Sequence, residues 1–198
     1  MNLIERAKQY EKAVDFIYDD KSNVTLKWIA KYPFTCKHRR HTFQIIKDIL
    51  RSKKGRVLDQ GGAEGITACL LTEEGFKVLV VDEEPKFKRC WEKLDVNGVV
   101  GDCGSLSWWD GNSFEVIIAG VWAACKGDEG SMTADKKEWI CHVRDNWSIL
   151  LSQEGILYFD VNIKKYPIKA VKTIMEEKFS VNILKKKPRL LLKCYKYC

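Results

Sequence analysis

Apolar positions along this chain fall first into helical and then into strand periods. Leu3, Ala7, Tyr10, Val14 and Ile17 recur at spacings of four and three, which predicts one amphipathic helix. Residues 24–32 predict a second, shorter helix ahead of the break at Pro33. Phe43, Ile46 and Leu50, backed by Ile45 and Ile49, predict a third. From residue 56 the texture changes to short apolar runs alternating with helical periods. Arg56-Val57-Leu58-Asp59 reads as a buried strand ending in a carboxylate, followed by a Gly-rich turn and a helix over 66–74 closed by Gly75. Residues 76–82 give a second strand ending at Asp82. Phe87, Cys90, Trp91 and Leu94 mark the next helix, and Val99-Val100 a short third strand before Gly101-Asp102.

Residues 114–119 form the fourth strand. Asp135 with Glu138 resembles a capping box, opening a helix with Trp139, Val143, Trp147 and Leu150 on one face. Gly155 ends that connection, 156–161 is the fifth strand, and Pro167 suits the first turn of a helix through Val171 and Ile174. Two last strands, 180–184 and 189–195, are separated only by Lys185-Lys186-Lys187-Pro188. That is hairpin length, so the pair is expected to be antiparallel.

Strands alternating with helices imply an α/β chain with a doubly wound, Rossmann-like, mostly parallel sheet. We read residues 1–198 as a single domain, with 1–55 a helical cap and 56–198 the core. Ligands of such sheets bind beyond the carboxyl ends of the strands. Asp59, Asp82, Asp102, Ala119 and Asp160 all fall at such ends.

Composition narrows the class. A chain of 198 residues buries enough surface to need neither disulfides nor metals. No apolar run approaches the ~20 residues of a bilayer span, and the start of the chain lacks the order of a signal peptide. A cytoplasmic protein with reduced thiols is expected. Its eight cysteines include no Cys-x-x-Cys, and its three histidines do not complete a zinc site, so no metal is expected. Charge is unevenly spread: residues 1–56 carry 14 Lys/Arg against 6 Asp/Glu, residues 57–163 carry 9 against 19, and residues 164–198 carry 11 against 2. Basic ends around an acidic middle permit an anionic partner without requiring one.

The turn Asp59-Gln60-Gly61-Gly62-Ala63-Glu64-Gly65 carries the chemistry. A dinucleotide fingerprint fails in either frame, because the required glycines are Ala63 and Ile66, or Glu64 and Thr67. A phosphate-cradling loop fails as well, because no Gly-Lys-Ser/Thr follows. What remains is Asp-x-Gly-x-x-x-Gly. A carboxylate two residues before the first glycine repels pyrophosphate and suits an ammonium group. Asp82, ending the second strand, is placed to accept from two vicinal ribose hydroxyls. An amino-acid head and an adenosyl ribose together describe S-adenosylmethionine.

These motifs, with Val80-Val81-Asp82, Gly101-Asp102 and Phe114-Glu115-Val116-Ile117 in order, resemble the class I S-adenosylmethionine-dependent methyltransferases over about residues 55–198. The resemblance implies a seven-stranded sheet whose last strand is antiparallel. It implies that Asp59, Gly61, Gly62, Ala63 and Gly65 hold the methionine part, and Asp82 with Glu83 the ribose. Asp102 and Cys103 would meet the adenine, and Ala119 would line the floor under the methyl group. Ala63 stands where many relatives have a glycine.

The acceptor is less defined. Methyl transfer from a sulfonium asks mainly for in-line positioning of a nucleophilic oxygen or nitrogen, so no catalytic residue can be read from spacing. Ala119-Gly120-Val121-Trp122 resembles neither the Asp/Asn-Pro-Pro-aromatic loop nor a Pro-Cys nucleophile loop. The cluster Lys37-His38-Arg39-Arg40-His41 is either a solvated face or the border of a pocket for an anionic acceptor. On the second reading His38, Arg39 and His41 contact the acceptor; Trp122, just after the fourth strand, is either core or a wall of the acceptor pocket. A compact cap favours a small molecule. The basic ends keep RNA as the alternative, and a binding protein that no longer catalyses is the third reading.

Overall fold

In the computed structural model, which describes residues 1–36, 39–120, 132–162, 164, 166–185 and 190–197, seven strands join in the order β3-β2-β1-β4-β5-β7-β6. The strands are β1 (Arg56–Gln60), β2 (Lys77–Asp82), β3 (Gly98–Val100), β4 (Phe114–Gly120), β5 (Leu151–Val161), β6 (Phe179–Lys185) and β7 (Leu190–Lys196). The chain divides into two compact units, Met1–Cys103 and Gly104–Cys198.

In the first unit, α1 (Leu3–Ala13) opens on a capping box. The Asn2 side chain accepts from the Ile4 and Glu5 amides at 3.0 Å, and the Glu5 carboxylate accepts from the Asn2 amide. The single helix expected through Ile17 is interrupted, because the backbone leaves helical geometry at Val14 before the short α2 (Phe16–Asp19). Val14 and Ile17 are nonetheless both buried, so the apolar spacing marks core positions without guaranteeing one continuous rod. Helix α3 (Val24–Lys31) is capped by Asn23, and α4 (Arg40–Ile49) buries Phe43, Ile45, Ile46 and Ile49. Helix α1 packs on α5 (Ile66–Thr72) and α6 (Lys88–Leu94), and α4 packs on α5. Strands β1 and β2 run parallel with Asp59 opposite Val80, and β2 and β3 run parallel with Asp82 opposite Val100. The aligned ends put the carboxylates of β1 and β2 at the same edge of the sheet.

In the second unit β4 and β5 are parallel, and β7 runs antiparallel to both β5 and β6. This is the expected mostly parallel sheet with an antiparallel last strand. Helix α7 (Ala134–Leu150) is not opened by Asp135. Its cap is Thr133, in extended conformation, whose hydroxyl accepts from the Lys136 amide at 3.4 Å. A cap must stand one residue ahead of the first helical residue, so Asp135 falls inside the first turn, where its charge suits the helix dipole. Gly155 does not end the connection either. It lies inside β5, where pairing with β4 skips from Phe114–Leu151 to Val116–Ile156. A Cβ there would stand 2.6 Å from Leu151 Cγ. Helix α8 (Ile168–Glu176) then packs on β6.

Cys36, Cys69, Cys90, Cys103, Cys141 and Cys194 are free thiols, and burial pushes Cys69, Cys90 and Cys194 up to about 12. Among the described residues no group of three His, Cys, Asp or Glu could hold a metal ion, and no helix is long and apolar enough to cross a membrane.

Candidate functional site

The chain leaves β1 through a turn that demands small residues at positions 61–63 and 65. Gly61 and Gly65 hold φ of 72° and 80°, in the left-handed region that favours glycine. Gly62 is excluded from carrying a side chain by crowding: a Cβ would stand 2.7 Å from Val80 Cγ1 and 2.8 Å from the Asp59 carboxylate. Ala63 also sits at positive φ, 48°, so it bears the strain that a glycine would avoid.

The turn is tied to the neighbouring strand ends. The Gly61 amide donates to the Val81 carbonyl at 2.7 Å, and the Ala63 amide donates to Asp82 Oδ2 at 3.0 Å. Asp82 Oδ1 accepts from the Glu84 amide at 3.0 Å. Each Asp82 oxygen thus has one backbone donor and keeps a lone pair for another. Gln60 Nε2 donates to the Cys103 carbonyl, joining the end of β1 to the segment after β3. Cys103 Sγ lies 3.5 Å from the Val81 carbonyl oxygen, and burial pushes its thiol up to about 12. Glu83 and Asp102 are exposed beside these ends.

Two carboxyls at this edge are held far from their ordinary behaviour. Asp59 is buried, and its Oδ2 has no hydrogen-bond partner. Burial pushes its carboxyl up to about 7, against the pull of the Arg39 charge and with the help of Asp82 and Glu64. Burial likewise pushes Asp82 up to about 6, opposed by its two backbone donors. A buried, orphaned carboxylate oxygen is a costly feature unless something supplies a donor. An ammonium group is the donor whose charge would also restore ionisation of Asp59.

A third carboxylate, Glu64, joins the site and was not among the residues expected there. Glu64 is wholly buried, and Arg39 grips it with both arms of the guanidinium, Nη1 to Oε1 at 2.7 Å and Nη2 to Oε2 at 3.0 Å. The Tyr18 hydroxyl donates to Glu64 Oε1 at 3.2 Å, and burial pushes that hydroxyl upward so that it keeps its proton. The Arg39 guanidinium also lies 4.9 Å from the Phe34 ring centre and 5.8 Å from that of Trp28. A charge between Ala63 and Gly65, just ahead of a mostly apolar and buried helix, was the available signal that a buried counterion had to exist. Trp91 was also missed as part of the turn; its indole donates to the Ala63 carbonyl at 2.8 Å.

Within the basic cluster, Arg39 and His41 are buried, and the Arg39 guanidinium is taken up by Glu64. His38 and Trp122 lie outside the described residues. In the second unit Ala119 is buried near the carboxyl end of β4, in register with Phe159. His142 is exposed on α7, with Nε2 2.7 Å from the Gly104 carbonyl oxygen.

Strand order, the antiparallel β7 and the glycine turn after β1 together define the fold of the class I S-adenosylmethionine-dependent methyltransferases. Among solved structures, the chain is similar to the N-methyltransferase NodS from Bradyrhizobium japonicum WM9 in complex with S-adenosyl-L-homocysteine. The TM-score is 0.65 at 15% identity, covering 94% of this chain and 98% of that one. It is also similar to a TehB-like SAM-dependent methyltransferase from Corynebacterium glutamicum, with TM-score 0.62, 13% identity and coverage of 98% and 99%. A ribosomal protein L11 methylase from Lactobacillus delbrueckii gives TM-score 0.62 at 16% identity, covering 82% of this chain and 80% of that one. No protein-family model matches the sequence, and no curated protein matches it.

Proposed function

We propose that this chain binds S-adenosylmethionine at the β1–β2–β3 edge and transfers its methyl group to a nucleophilic oxygen or nitrogen of a small molecule. The observation that carries the reading is Asp59: a buried carboxylate with an orphaned oxygen, in a turn where Gly62 leaves no room for a side chain. Asp59 would accept from the ammonium of the methionine head. Asp82 would use the free lone pairs of its two oxygens for the ribose hydroxyls, with Glu83 beside it. Asp102 and the backbone at Cys103 would meet the adenine. When bound, the cofactor supplies a methyl group on a sulfonium, which is already an excellent leaving group. The residues of this chain then have to bind, orient and exclude water, and no general base is required by the chemistry.

The fold alone does not select an acceptor, since its neighbours include an N-methyltransferase, a ribosomal protein methylase and a putative rRNA-methylase. A small acceptor is supported by the burial of Arg39 against Glu64, which removes one cation from the surface that an RNA backbone would use. The sheet running from β3 to β6 supports taking residues 1–198 as one methyltransferase domain.

Calorimetry with S-adenosylhomocysteine tests the cofactor. Micromolar binding with a rise in unfolding temperature is expected, and NAD should produce neither. Tight NAD binding with no response to S-adenosylhomocysteine would overturn the reading. Turnover of S-adenosylmethionine across a panel of small nucleophiles and RNA then tests the acceptor. An acceptor whose affinity falls with a log–log salt slope of several units would point to RNA instead, and no turnover with any acceptor to a binding protein.

A further inference from the structure

The glycine turn is held from two sides, and one of them is the amino-terminal segment. Arg39, next to α4, forms the two-armed ion pair with Glu64, and Tyr18, from α2, adds a hydrogen bond to the same carboxylate. Glu64 is flanked by Ala63, whose amide binds Asp82, and by Gly65, which caps α5. Two further ties run to the loop after β2. Asn23 donates to Glu84, and Lys86 Nζ reaches Asp20 at 2.8 Å and Ser22 at 2.6 Å. The segment thus touches both the turn after β1 and the loop after β2 through side chains.

We propose that the Arg39–Glu64 pair is a latch that makes docking of the amino-terminal helices a condition of cofactor binding. Arg39 is in this sense a positioning residue acting through Glu64 and through its charge on Asp59. The inference rests on the cofactor reading above. A buried pair with both arms engaged has one geometry, so the turn is fixed when the latch is closed. Opening it would leave Glu64 buried and unpaired beside Asp59, and the adjoining turn would have to rearrange to hydrate it. The charges that act on Asp59 are those of Arg39, Asp82 and Glu64, and Arg39 is the cation among them. Its removal should shift the ionisation of Asp59, and hence ammonium binding, to higher pH.

The test is S-adenosylhomocysteine titration of the full chain between pH 6 and 9, with hydrogen exchange of residues 24–36 and 61–68. In the wild type the ligand should slow exchange in both segments, and affinity should rise as pH passes 7. Arg39→Met should weaken binding about tenfold or more and move that rise to higher pH. Arg39→Lys keeps the charge without the fork; it should keep the wild-type pH midpoint while losing part of the affinity. The double variant Arg39→Met, Glu64→Leu leaves no unpaired buried charge and serves if the single variant fails to fold. In it, ligand should no longer slow exchange in residues 24–36. Unchanged affinity, midpoint and exchange response in a folded double variant would overturn the latch while leaving cofactor binding intact. Failure of the wild type to bind would instead overturn the cofactor reading, and the latch with it.

Discussion

The indole Nε1 of Trp91 donates to the carbonyl oxygen of Ala63 at 2.8 Å, so helix α6 holds the glycine turn at its one strained non-glycine residue. The same ring lies where a Cβ on Gly65 would come within 2.9 Å of it. Trp91→Phe keeps most of the buried area but orphans the carbonyl. We expect a loss of about 1–2 kcal/mol in unfolding free energy and a weaker response to S-adenosylhomocysteine, measured by urea denaturation with and without ligand.

Ala63 itself gives a directional prediction. At φ of 48° a β-branched residue is far worse than alanine, and glycine is unstrained. Ala63→Val should lower stability by about 2 kcal/mol or more. Ala63→Gly should be neutral to within about 1 kcal/mol, because relief of strain is offset by a more flexible unfolded chain. Thermal unfolding of the two variants decides; equal losses in both would contradict the assigned backbone strain.

Gly62 answers to crowding rather than conformation. Gly62→Ala would press a methyl between Val80 and the Asp59 carboxylate, at 2.7 and 2.8 Å. Overpacking of that kind costs about 1–3 kcal/mol. Because the displaced group is Asp59, S-adenosylhomocysteine affinity should fall as well. Normal affinity in a folded variant would mean that the Asp59 carboxylate is not part of the binding surface.

Asp59 predicts a trade between stability and binding. Its folded-state carboxyl is raised from 3.8 to about 7, so burial contributes no penalty below the unfolded pKa. Stability is then lost progressively as pH rises to about 7. Asp59→Asn removes the charge and should therefore stabilise the ligand-free protein at pH 8, by a gain on the order of 2–4 kcal/mol that vanishes near pH 4. The same variant should bind S-adenosylhomocysteine at least about tenfold more weakly. Denaturation curves at the two pH values, paired with calorimetry, test both halves.

Asp82→Asn keeps one acceptor for the backbone but weakens the carboxylate's hold on two hydroxyls. Its carboxyl is raised to about 6, so the stability it withholds from the ligand-free protein is lost over a narrower range, between about pH 4 and 6. Cofactor affinity should fall by about tenfold while the fold survives. Unchanged affinity in the folded variant would remove Asp82 from the ribose site.

Local patterns were enough to determine the strand sequence, the antiparallel end of the sheet and the places where Asp59 and Asp82 fall. Alternation and the glycine spacing are properties of neighbouring residues, whereas the register that sets Asp59 opposite Val80 and Asp82 opposite Val100 is seen only in the sheet. Caps and breaks were less legible. Thr133 displaced Asp135 as the cap, and α1 ended at Val14, because backbone conformation at a single residue decides each. What only the tertiary structure decided is the fate of charge. Arg39 and Glu64 are 25 residues apart, and nothing local says that the two share a buried bidentate pair. Nor does sequence say that an oxygen of Asp59 is left without a donor. Burial and pairing depend on which distant side chains reach the same small volume, and that is set by where Tyr18 of α2 and Arg39 ahead of α4 meet the turn rather than by any spacing along the chain.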